Sequence, residues 1–173
     1  MALPPARSIA EVHAYIDMLA CECGSHAYEV ITVSPRRKQD GSRPCEYELE
    51  CDRCERRRVL MFSAVGASDS DGFGAGRSEL IDAGEWMWYA ERLGDAVPAK
   101  SWFRRRKAED REMLDDAIAA VDEVLKFLPP GADTVPDVAF WTERGRKFRG
   151  DPSTSVFNRR DLEAVRAVFV GQR

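Results

Sequence analysis

Ile9, Val12, Tyr15, Ile16 and Leu19 recur at helical spacing behind Ser8, and this pattern predicts a helix over residues 8–20. Ser8 and Glu11 form an S-x-x-E capping box, which satisfies two orphan amide donors at a helix start. The period then changes. Residues 27–33 (Ala-Tyr-Glu-Val-Ile-Thr-Val) are rich in β-branched and aromatic side chains and predict a strand. Glu46, Glu48 and Glu50 alternate with Tyr47, Leu49 and Cys51, as in a strand with one wet face. Residues 56–63 predict a third strand that closes on the apolar run Val59-Leu-Met-Phe62. The polar loop 34–44 between the first two strands holds the turn pair Asp40-Gly41. These elements predict a short antiparallel sheet led by one helix.

Residues 64–77 are mostly Gly, Ser, Ala and Asp, and predict a linker or loop between a module over 1–63 and a helical region over 78–173. Asp82 and Glu85 repeat the cap spacing before a helix that runs to about residue 95 and carries Trp86, Met87, Trp88, Tyr89 and Leu93. Leu114, Ile118, Val121, Leu125 and Leu128, flanked by Ala117, Ala120 and Val124, predict a long helix over 107–128 that Pro129-Pro130-Gly131 stops. Shorter helices are expected over 137–147 and 160–170, the last with Asn158 as cap and Gly171 as stop. The chain has no internal repeat. The expected class is α+β: one helix and a three-stranded sheet, then three to four helices.

Composition narrows the function classes. With 32% charged and 44% hydrophobic residues among 173, the chain has the make-up of a globular domain. Its N-terminus, Met1-Ala-Leu-Pro-Pro-Ala-Arg7, carries no signal-peptide core, and no run approaches the ~20 apolar residues of a membrane span. The expected location is cytoplasmic. In that compartment five cysteines point to metal or free thiols before disulfides. No nucleophile elbow, phosphate loop or metalloprotease motif is present, and there are only two histidines, His13 and His26. A non-enzymatic role is therefore expected, with no small-molecule substrate.

The candidate chemistry lies in two cysteine pairs, Cys21-Glu-Cys23-Gly24 and Cys51-Asp-Arg-Cys54. Paired thiolates brought together by a hairpin suit a tetrahedral Zn²⁺. The pattern C-x-C-G…C-x-x-C resembles the zinc-ribbon family over roughly residues 20–63. The resemblance implies a closed, structural zinc site on Cys21, Cys23, Cys51 and Cys54, with Gly24 at a position of positive φ after its knuckle. The first knuckle is one residue shorter than the family pattern. His26 is therefore an alternative ligand replacing Cys21, since Cys23-Gly-Ser-His26 has the two-residue spacing. Cys45 is read as a spare thiol. A redox role for Cys51-x-x-Cys54 is disfavoured because a strand follows it, where a redox pair is normally followed by a helix whose dipole lowers a thiol pKa.

Residues 21–62 hold eight basic and eight acidic side chains, and a tetrathiolate zinc centre adds negative charge. That balance argues against phosphate-driven nucleic-acid binding, which leaves a nucleic-acid-associated zinc ribbon of the transcription accessory type as the alternative reading. The preferred expectation is a protein partner, and a basic one. Glu112, Asp115, Asp116, Asp122 and Glu123 lie opposite the apolar stripe of the long helix. With Trp86 and Trp88 they form the expected docking surface. In size and in its net charge of −4, though in no residue motif, the chain is similar to immunity proteins, which neutralise toxins by occlusion.

Overall fold

A computed structural model describes residues 2–36, 44–66, 72–98, 107–151 and 156–173. The Asp40-Gly41 turn, Arg37, Lys38, Trp102 and Arg104–Arg106 lie outside the described residues. The chain divides into two compact units, Met1–Leu80 and Ile81–Arg173. The class is α+β, with a helix and a three-stranded antiparallel sheet followed by helices. No helix among the described residues is long and apolar enough to cross a membrane.

The first unit opens with helix α1, Ile9–Met18. Ser8 caps it, accepting a hydrogen bond from the Glu11 amide at 3.0 Å. The reciprocal half of the capping box is redirected. Glu11 is fully buried and takes up Arg7, through the backbone amide at 2.6 Å and the guanidinium at 2.7 and 3.0 Å. Arg7 donates onward to the carbonyl of Gly76, and Ser8 Oγ to that of Phe73. The described ends of segment 64–77 are thus fastened to the start of α1. Ala6 and Ala64, and Gly66 and Ala6, add backbone bonds of 2.9 Å each.

Strands β1 (Tyr28–Pro35), β2 (Cys45–Cys51) and β3 (Arg57–Phe62) pair in sequence order. The alternation of β2 is strict. Cys45, Tyr47, Leu49 and Cys51 are buried and the three glutamates half-buried. Phe62 anchors the core, edge-on to Tyr15 and Tyr47 at centroid distances of 6.0 and 5.5 Å. On the wet face Arg57 binds Glu48 and Glu50, and Arg36 binds Glu46, so the glutamate row is neutralised within the sheet. A bulge falls between Val30 and Thr32 in β1. The other flank of the sheet is covered by the N-terminal segment, since Leu3 and Ala6 bridge in parallel to Phe62 and Val65. Ile9, expected on the apolar face of α1, is 52% exposed, because Val12, Ala14, Ile16 and Met18 occupy the covered stripe.

The second unit holds α2 (Ala83–Ala96), α3 (Ala108–Leu125), α4 (Glu143–Gly150) and α5 (Arg159–Gln172). Helix α2 packs on α3 and α4, and α3 packs on α5. The buried stripe of α3 is Leu114, Ala117, Ala120, Val121 and Val124, which leaves Ile118 and Leu125 at its margin. The buried alanines leave room for close helix approach. Past Leu125 the chain tightens into i→i+3 bonds as far as Leu128, before the prolines end it. Residues 137–139 form a single 3₁₀ turn and α4 begins only at Glu143, later than the period predicts. Gly171 does not stop α5, which runs through it.

One carboxylate joins two helix starts in this unit. Asp82 Oδ1 caps α2 through the Glu85 amide at 2.8 Å. Its Oδ2 accepts from the amide and hydroxyl of Thr142, the residue that caps α4, at 2.7 and 2.8 Å. Gly84 and Gly145 meet backbone to backbone beside it, and a Cβ on either would overlap the other helix start. Glu85 completes the box by accepting the Asp82 amide. Burial, and then the charge of Asp82, push its pKa up to about 6.

Asp82→Ala removes a cap and both Thr142 bonds, and should cost about 3 kcal/mol in denaturant unfolding. Glu85 binds its proton more tightly folded than unfolded, so its contribution to stability is full below a pH of about 4.5 and is lost as pH rises through about 6. Melting temperatures of Glu85→Gln and wild type should accordingly diverge in favour of the glutamine variant as pH rises from 4 to 7.

Candidate metal centre

Two tight turns present the sulfurs. After α1 the chain leaves Leu19 in extended conformation and folds back at Cys21, where the Gly24 amide donates to the Cys21 carbonyl at 2.8 Å. At the end of β2 the Glu55 amide donates to the Cys51 carbonyl at 2.8 Å. The first turn spans four residues, Cys21–Gly24, and the second five, Cys51–Glu55, which absorbs the shorter spacing of the first pair. Gly24 and Glu55 each follow the second cysteine of their pair, and both have positive φ, 83° and 58°. Glu55 is the one described non-glycine residue in that region. The pairing of Tyr28 with Cys51 and the bond from the Asp52 amide to the Ala27 carbonyl lock the two turns side by side.

Cys21, Cys23, Cys51 and Cys54 consequently converge, all four sulfurs lying within 4.8 Å of one another. Cys21 and Cys54 are 3.5 Å apart, and Cys23 and Cys51 3.7 Å. A tetrahedral Zn²⁺ with bonds of ~2.3 Å to sulfur separates its ligands by about 3.8 Å, so the donor set fits that ion. All four are free cysteines. His26 is not a member of the group.

The electrostatics suit a cation. Cys21 is drawn down to about 6, first by the Cys23 amide pointing at its sulfur and then, against the cost of burial, by the neighbouring thiols. Burial opposes ionisation of Cys51, but the Arg53 and Cys54 amides outweigh it and lower its pKa. Cys54 receives the Arg56 amide, yet holds its proton up to about 12 because it shares that proton with Cys21 and Cys23. Four sulfurs this close cannot all ionise alone, and a divalent cation is what displaces the shared protons. Outside the turns, Glu22 and Arg56 form an ion pair that ties one knuckle to the other. Cys45 stands apart from the group, and burial pushes its thiol up, which keeps it unreactive.

The expected docking surface in the second unit is redistributed. Trp86 is fully buried, edge-on to Tyr89 at 6.3 Å, and cannot meet a partner. Trp88 is half-buried, with the Arg144 and Arg92 guanidinium groups 4.5 and 5.5 Å from its ring centre. Glu123 is only 2% exposed and pairs with Lys126 at 2.5 Å. Asp122 is engaged by Arg166 of α5 at 2.7 Å, and Asp115 by Arg173, which follows that helix, at 2.8 Å. Glu112 and Asp116 remain exposed. The missed signal was the pair Arg166 and Arg173, two turns of helix apart at the C-terminal end of the chain, which supply the counter-charge to α3.

Comparison with protein-family models, curated proteins and solved structures returned no match to the chain.

Nothing lies within 4 Å of a Cβ added at Gly24, so backbone conformation alone requires glycine there. Gly24→Ala should lower the stability of the metal-loaded protein by about 1 kcal/mol, and Glu55→Gly should raise it by about 0.5 kcal/mol, both read from denaturant midpoints.

Proposed function

We propose that this chain is a non-enzymatic binding protein whose N-terminal unit is a zinc-ribbon-like module stapled by one structural Zn²⁺ on Cys21, Cys23, Cys51 and Cys54. The convergence of the four sulfurs within 4.8 Å carries the reading. Four protein ligands fill a tetrahedral ion and leave no position for substrate, so the metal would stabilise and not catalyse. The sheet it supports has three strands of six to eight residues, too few for much stability alone. Zinc binding on the order of 10 kcal/mol supplies what the small core does not.

The partner we favour is a protein with a basic surface, with toxin-neutralising immunity as the specific form. Glu109, Glu112 and Asp116 stay exposed at helical spacing on α3 and support an acidic contact, smaller than the sequence pattern alone implies. The transcription-accessory alternative is less well supported. Arg56 and Arg57 are engaged by Glu22, Glu48 and Glu50, and so offer little charge to phosphate.

Elemental analysis of purified protein should find one zinc per chain. A strong chelator should abolish hydrogen-exchange protection across residues 21–62. Stoichiometric absence of zinc with protection intact would remove the metal half of the proposal. Tight binding to mixed DNA or RNA that weakens steeply with salt, with no protein co-purifying from the native host, would remove the partner half.

A further inference from the structure

The four cysteines are not equally sheltered. Cys51 is fully buried, Cys21 is 6% exposed and Cys23 is half-buried, whereas Cys54 is exposed. Cys54 sits at the outer corner of the second turn, among the exposed residues Arg53, Glu55 and Arg56. Beside the cluster is a groove of about 310 Å³, lined by Cys21, Glu22, Tyr28 and the three arginines 56–58. A small solute therefore has a way to the Cys21 side of the centre. The Cys21 sulfur lies 3.5 Å from that of Cys54.

On the reading that the cluster holds zinc, we propose that Cys54 is the point at which a peroxide-class oxidant opens the metal centre, and that the product is a Cys21–Cys54 disulfide. The Cys54 sulfur attacks one peroxide oxygen, the O–O bond breaks, and hydroxide leaves as Cys54 becomes a sulfenic acid. The Cys21 thiolate then attacks the Cys54 sulfur, an S–S bond forms, and the S–O bond breaks with loss of a second hydroxide, which takes up a proton as water. One peroxide is reduced and two thiolates are oxidised. The sulfurs must close from 3.5 Å to ~2.05 Å, a movement the exposed turn at Cys54 can supply. With half its ligands gone, the ion is released.

The test uses the full chain as purified, with its zinc content measured first. Hydrogen peroxide is added in graded amounts. Zinc release is followed with a chromogenic chelator, and disulfides are mapped by mass spectrometry of non-reduced digests. The expected result is a Cys21–Cys54 linkage appearing first, in step with loss of one zinc. Cys54→His, which keeps a zinc-competent ligand without an oxidisable sulfur, should release its metal at least tenfold more slowly. Appearance of a Cys23–Cys51 linkage first, or release from Cys54→His at the wild-type rate, would overturn the proposal. Absence of zinc at the outset would sink the metal reading instead. Where Cys54→His does not fold, trapping the first sulfenic acid with dimedone in the zinc-loaded wild type decides the matter: an adduct on Cys54 supports the proposal and an adduct on Cys21 overturns it.

Discussion

Mutual repulsion among four crowded sulfurs is the constraint on which the first unit is organised. The chain brings them together through the register of β1 with β2 and through two turns, each closed by a residue in the left-handed region. Backbone amides from Cys23, Arg53, Cys54 and Arg56 point at the sulfurs. Such donors favour negative charge on sulfur, and negative charge in that density needs a positive centre. The rest of the unit follows from this point. The sheet radiates from the turns, α1 feeds the first of them, and Glu22 with Arg56 closes the outside.

The second unit solves a different problem, that of short helices whose ends must be satisfied. Asp82 serves two of them at once, and the glycines at positions 84 and 145 let the two starts come close enough to share it. Charge completes the arrangement. Helix α3 is acidic on the side that faces α5, and Arg166 of α5 and Arg173 just past its end answer it. The acidic strip that reads from sequence as a surface for another protein is thus in large part an intramolecular contact.

Local rules were legible and pairwise choices were not. The strict alternation through residues 45–51, the caps at Ser8, Asp82 and Asn158, and the glycine at 24 each declare themselves within a few residues. The cysteine pairs are legible for the same reason, because a hairpin between them leaves few other arrangements. What stayed hidden depends on distant residues. That Glu11 takes Arg7 and not its own cap amide, that Trp86 faces inward, and that α3 turns its alanines to the core are decided by pairing and packing partners that the local pattern does not specify. The reach of Asp82 to Thr142, across 60 positions, is of this kind. Spacing alone also could not show that a four-residue turn and a five-residue turn deliver their sulfurs to the same point.

The two margins of the sheet carry a further implication. Unpaired strand edges invite neighbouring molecules to add on, and runaway stacking begins there. Here one margin is occupied by the chain's own Leu3–Ala6 stretch, while the other is broken by the irregularity after Val30 and capped by Pro35, which has no amide proton to give. A β-rich module this small would otherwise be sticky in a crowded solution. Both devices oppose strand addition at the margins of the sheet.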